Sequence, residues 1–193
     1  MKKDIFYIRK YHYIKSEAEL DLSSIAPLQR RRRSLADKIA FTVMDKVFDE
    51  NIEEIVFASR YGEFARLKTI IEQYSEIGEV SPAQFSGSVH NYLAGFFTLE
   101  KKSNIPYYAT ASAENTLSAG LIKSVLSFRN NILFCYADEY GVSCIISKDA
   151  GGIKCAMTSG GNDNADEAGS FIEFLEGKTP VFESPLCRIE RAE

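Results

Sequence analysis

The chain has 193 residues, 45% apolar and 26% charged, with a formal net charge of −4. That size fits a single domain over residues 1–193 with a substantial core, and the acidic balance supplies no overall attraction to nucleic acid or an anionic membrane. No apolar run approaches the roughly 20 residues of a membrane span, and the opening segment has lysines without an apolar stretch and cleavage site, so the expected location is the cytoplasm.

Ile5 to Ile14 alternates apolar residues with Lys10 and His12 and predicts a first strand. A loop with Pro27 and the run Arg30-Arg31-Arg32-Arg33 leads to Ser34, an N-cap residue, and a helix to about Asp49. Its rows Leu35, Ile39, Val43, Val47 and Ala36, Ala40, Met44, Phe48 make a broad apolar face. Glu54 to Ala58 is a short apolar run suited to an interior strand. Phe64, Leu67, Ile71 and Tyr74 then mark one face of a helix closed by Gly78.

Ser81-Pro82 opens a stretch that continues as a helix from Ser88 to Lys102, where Ala94-Gly95 implies close approach of another backbone. Pro106 to Ala111 is a strand and Asn115 to Phe128 a helix, joined by a sharp turn through Ala113-Glu114-Asn115. The unbroken apolar run Ile132 to Ala137 suits a parallel strand covered on both faces. Val142 to Ile146 is followed, after Ala150-Gly151-Gly152, by Ile153 to Met157 as its antiparallel neighbour. A helix from Ala165 to Glu176 stops at Gly177, and Val181 to Arg191 closes the chain as a strand. The order of elements argues for a layered α/β domain with a mixed sheet.

Cys135, Cys144, Cys155 and Cys187 each sit in a strand-like apolar run, widely spaced, and only His12 and His90 accompany them. Buried reduced thiols are expected, with no metal site and no cofactor. Gly151-Gly152 and Gly160-Gly161 lack a dinucleotide-binding context and are turns. Asp138 and Glu139 leave a strand side by side, so their side chains diverge and a loop-capping role is expected. His90 lies on a helix among apolar neighbours without the acid and nucleophile of a triad, which favours packing over base catalysis. Strand-to-helix turns commonly carry a nucleophile, yet the turn at 113–115 offers neither Ser nor Cys. Glu114 near a helix N-terminus is stabilising by about 0.3–1 kcal/mol through the helix dipole alone.

Several of these segments, in order, carry a likeness. Ser81-Pro82, Ser88, Asn91-Tyr92-Leu93-Ala94-Gly95, Ile105-Pro106 and Ala111-Ser112-Ala113 resemble the N-terminal half of a β-ketoacyl synthase of the thiolase fold. Arg30 to Ser34, Phe57 to Glu63 and Phe85 to Asn91 look like chain-length-factor-type proteins of aryl polyene gene clusters. The likeness covers most of residues 25 to 140. It implies a layered α/β/α thiolase-like half-fold, with a mixed, mostly parallel five-stranded sheet plus a C-terminal helix and strand.

The resemblance also aligns Glu114, flanked by Ala113 and Asn115, with the nucleophilic Cys, so no catalytic residue is expected at that position. Chain-length-factor-type proteins often hold Gln there, which leaves for Glu114 a Gln-like role facing a malonyl group, or contact with a partner's entrance. The implied partner is a catalytic β-ketoacyl synthase subunit or a second copy, met through Tyr107, Tyr108, Ala109, Thr110 and Ala111. Arg30, Arg31, Arg32 and Arg33, with His90 and Asn91, form the candidate binding set, the arginines suited to an acidic acyl carrier protein or to ion pairs in a complex rather than to nucleic acid. The function implied is a non-condensing partner subunit in polyene or fatty-acid-like synthesis. Malonyl-carrier-protein decarboxylation at Glu114 and a homodimeric acyl- or phosphopantetheine-binding domain are the alternatives.

Overall fold

The computed structural model describes residues 3–31 and 33–192. Strand β1 (Asp4–Ile14) leads through α1 (Pro27–Arg31) to α2 (Leu35–Val47), β2 (Glu54–Ala58), α3 (Phe64–Ile77), α4 (Pro82–Ser86) and α5 (Tyr92–Glu100). Then follow β3 (Tyr107–Thr110), α6 (Thr116–Val125), β4 (Asn131–Ala137), β5 (Gly141–Ser147), β6 (Ile153–Ser159), α7 (Glu167–Glu176), β7 (Val181–Glu183) and β8 (Cys187–Arg191).

Among the described residues one sheet of eight strands forms, in the order β3-β2-β4-β5-β1-β6-β8-β7. It is larger than the five strands expected, and its parallel part is confined to β3-β2-β4. The reason is the connections. Parallel neighbours need a long crossover: α3 to α5 carry the chain from β2 to β3 on one side, and α6 carries it back past β2 to β4 on the other. Beyond β4 each neighbouring pair is antiparallel.

The expected β5–β6 hairpin does not form, because β1 lies between them. Tyr7 faces Ser147 of β5 on one side and Lys154 of β6 on the other. β5 follows the far half of β1, the chain crosses β1 at 148–152, and β6 follows the near half in the same direction. A register shift between Ile8 and Tyr11 marks the crossing. Gly152 permits it: its φ is +81°, and a Cβ there would lie 2.2 Å from the Ile8 carbonyl oxygen. The final expected strand is likewise a hairpin. Ser184 Oγ accepts the N–H groups of Leu186 and Cys187 at 3.2 and 3.1 Å and folds the turn between β7 and β8.

Strand alternation feeds two cores. Ile55, Phe57, Leu133, Cys135 and Ile145 face α2 and α5, while Val56, Ala58, Phe134, Tyr136 and Cys144 face α6 and α7. Phe41 meets Phe97 edge-on at 5.3 Å in the first, and Phe134 meets Phe171 at 6.4 Å in the second. Each large side chain so buried contributes about 1.5–3 kcal/mol. α6 sits tight on the sheet because Gly120 has no side chain: a Cβ would lie 2.7 Å from Phe134 and 2.8 Å from Ala58. Gly95 makes room in the same way, for the Tyr107 hydroxyl rather than for a backbone.

Ser34 caps α2 as expected, its Oγ accepting the Asp37 N–H at 3.0 Å. All four cysteines are buried and free. Burial pushes the Cys155 thiol up to about 12 and Cys187 up to about 11, which makes them inert. The apolar stripe of α3 is open instead of packed: Phe64, Ile71, Tyr74 and Ile77 are exposed, and only Ile70 of this helix is buried. Among the described residues no helix is long and apolar enough to cross a membrane.

Candidate functional site

The strand-to-helix turn lies between β3 and α6. Ala113 takes a positive φ of +46°, an uncommon conformation for a residue with a Cβ. Thr116 holds it there: its Oγ1 accepts the Ser112 N–H at 2.8 Å and donates to the Ala113 carbonyl at 2.7 Å. Asn115 N–H closes the turn onto Ser112 O at 2.9 Å.

Glu114 projects outward, its side chain 75% exposed, with Arg60 Nη1 3.8 Å from its carboxylate. The acid at the start of α6 is another residue. Glu167, at the start of α7, accepts the Ser118 N–H at 3.1 Å and the Ser118 hydroxyl at 2.6 Å. Burial raises its carboxyl above the usual range, while these hydrogen bonds act in the opposite direction. The carboxylate that hydrogen-bonds to the first turn of α6 is therefore that of Glu167, brought in from α7.

Below the turn is a cavity of ≈ 190 Å³ whose lining includes Arg60, Tyr136 and the carboxylates Glu114, Asp138, Glu139, Asp166 and Glu167. It is smaller than the usual range for small-molecule sites, about 300–1,000 Å³. Asp138 serves as the loop cap anticipated for it. Its oxygens accept the Ser59 hydroxyl at 2.6 Å and the Arg60 N–H at 2.8 Å. Burial and the neighbouring Asp138 carboxylate raise the Tyr136 phenol well above its ordinary value. His90 braces the same loop. Its Nε2 lies 2.8 Å from the Ser59 carbonyl, to which it must donate, and its ring leaves no space for a side chain at Gly62. Asn91 stands exposed at the N-cap of α5 without a side-chain cap.

The arginine run divides. Arg30 donates to the carbonyls of Ile25 and Ser23 at 2.6 and 3.1 Å. Arg31 is exposed, and Arg32 lies outside the described residues. Arg33 is tucked in, its side chain 6% exposed, lying 3.8 Å from the centre of the Phe96 ring and donating to Tyr92 Oη at 2.6 Å.

Behind Arg33 lies Asp37, whose side chain is fully buried; among the described residues neither of its oxygens has a hydrogen-bond partner. Among the described residues Arg66 and Arg33 stand at 3.6 and 3.9 Å from it. Burial first, and the Glu63 carboxylate second, push the Asp37 carboxyl up to about 7, from an ordinary 3.8. Between those values the folded chain holds more protons than the unfolded one, so this group lowers stability as pH rises from about 4 to about 7. Asp37→Asn should therefore raise the thermal midpoint at pH 8 and gain little at pH 4. An equal gain at both would remove the buried charge as its cause.

At the sheet's end, among the described residues, β3 pairs only with β2 and leaves its other edge open. Tyr107 and Tyr108 are exposed, Ala109 and Thr110 are half-buried, and Ala111 is exposed. The Pro106 and Thr110 carbonyls bond toward β2, so by alternation Tyr107 and Ala109 direct their backbone N–H and C=O groups away from the sheet.

This three-layered half-fold, with its strained turn at the start of a helix, is of the thiolase-like type. The chain belongs to the β-ketoacyl synthase family: residues 9–141 match the model of its N-terminal domain. Among solved structures it is similar to a chain of the complex of a ketosynthase (ApeO) with its chain length factor (ApeC) from Xenorhabdus doucetiae. The likeness has 17% identity and a TM-score of 0.72, and covers 96% of this chain and 99% of that one. No curated protein matches the sequence.

Proposed function

We propose that this chain is a non-condensing, chain-length-factor-type subunit that pairs with a catalytic β-ketoacyl synthase in polyene or fatty-acid-like chain assembly. The observation that carries this reading is an open edge strand joined directly to a turn that holds Glu114, the residue the family resemblance sets at the nucleophile position, and neither Ser nor Cys at 113–115. A carboxylate there forms no thioester in place of a thiolate. The α6 amides that would favour a thiolate already bind Glu167. An open strand edge is a ready template for pairing with another chain, and the similar fold cited above comes from a complex between two such proteins. Contact with an acidic carrier protein, if made through the arginine run, falls on Arg31 among the described residues.

Co-expression with the synthase encoded beside it, followed by size exclusion, tests the proposal. A stable complex is expected, with synthase activity dependent on it. A chain that elutes alone beside a fully active synthase overturns it. The decarboxylase alternative is disfavoured by the small cavity and its carboxylate lining, which repels a malonyl anion. Release of carbon dioxide from malonyl-carrier protein should accordingly be the same for wild type and Glu114→Ala, and at background level. A release lost in the variant would restore the enzymatic reading.

A further inference from the structure

Phe128, just past α6, is completely exposed, and Leu126 beside it is 58% exposed. Together with Pro106 and Tyr108 they wall a cavity of ≈ 490 Å³, whose lining also includes Lys123 and Arg129. Lys123 is already engaged: it lies 3.9 Å over the Tyr108 ring and 3.3 Å from Glu54. Isolated exposed apolar residues are ordinary; a wholly exposed Phe grouped with Leu and Tyr around a hollow is a contact surface in form.

Its place on the sheet names the occupant. Side chains alternate along β3, so Tyr108 lies on the α6 face while Tyr107, against Gly95, lies on the α5 face. A strand added to the open edge of β3 runs about 4.8 Å away. Its side chain opposite Tyr108 then falls on the same face, beside the hollow that Leu126 and Phe128 enclose. We infer that this hollow is a socket for a large apolar side chain on the strand that the catalytic synthase subunit lays against β3. The inference rests on the partner reading above and deepens it: edge hydrogen bonds supply pairing, and the socket supplies choice of partner and register. The division matches strand-addition complexes generally, where the backbone gives affinity and side-chain pockets give specificity. Arg129 at the rim favours an acidic group beside the inserted side chain.

The test compares wild type, Phe128→Asp and Phe128→Trp in binding to the purified synthase subunit. Phe128→Asp should weaken the complex about 10-fold or more, as loss of an aromatic anchor does, while the thermal midpoint of the isolated chain stays unchanged. The chain has no tryptophan, so Phe128→Trp provides a single reporter, whose emission should shift to the blue when synthase is added. Wild-type-like binding by Phe128→Asp with no shift in Phe128→Trp overturns the socket and leaves the partner reading intact. Failure of the wild type to bind synthase overturns both. Dimers of this chain that are lost in Phe128→Asp would give the socket to a second copy and overturn the assignment to synthase.

Discussion

On the proposed pairing through β3, Ala109→Pro should strongly weaken the complex with the synthase while the chain itself stays folded. Ala109 directs its N–H away from the sheet, so proline removes one donor from the open edge and none from the β2 pairing. Proline is tolerated on edge strands for this reason, so the isolated chain should lose little stability. In the complex, the ring meets the incoming strand and leaves its carbonyl unpaired, worth about 1–3 kcal/mol before any steric cost. Affinity should fall on the order of 100-fold, read by titration calorimetry, with a matching loss of co-elution. Ala109→Ser keeps the N–H and should bind as wild type. Equal binding by Ala109→Pro and Ala109→Ser would show that β3 is not the pairing edge.

Gly152→Ala should be the most damaging single methyl addition at the glycines of positive φ. At Gly152 the added Cβ is 2.2 Å from the Ile8 carbonyl oxygen and 2.8 Å from the Arg9 Cα, both backbone atoms that cannot swing aside. Gly160 has a similar φ, +73°, with nothing within 4 Å of the added atom. Gly160→Ala therefore isolates the conformational cost, about 1–2 kcal/mol, and Gly152→Ala adds overpacking of about 1–3 kcal/mol. Urea unfolding should place Gly152→Ala below Gly160→Ala by that second amount. Equal losses would mean the crossing over β1 is looser than the structure has it.

Local elements were legible because local physics makes them. Ser34 caps α2, Gly78 and Gly177 end their helices in the left-handed conformation, and short continuous apolar runs mark β2 and β4. Pairing partners are not encoded locally, so nothing in Val142 to Met157 announces that β1 will come between the two strands. The family likeness led to the turn at Glu114, yet the acid that binds α6 comes from α7 and carries no local mark. Arg33 belongs to a run of arginines that reads as a charged surface, but Tyr92 and Phe96, distant in sequence, enclose it. The stripe on α3 has the spacing of a core face, and spacing alone says nothing about whether anything covers it.

The placement of β1 also sets an order of events in synthesis. β1 precedes the other seven strands of the sheet yet becomes an interior strand, and both of its neighbours, β5 and β6, lie in residues 141–159. The segment from β2 to β4 closes its parallel pairings earlier, but β1 waits without a strand partner until β5 and β6 have been made. Such long-range pairing carries a loop-closure cost that slows folding. Completion of this sheet is therefore a late step, in which β1 is captured by two strands far along the sequence.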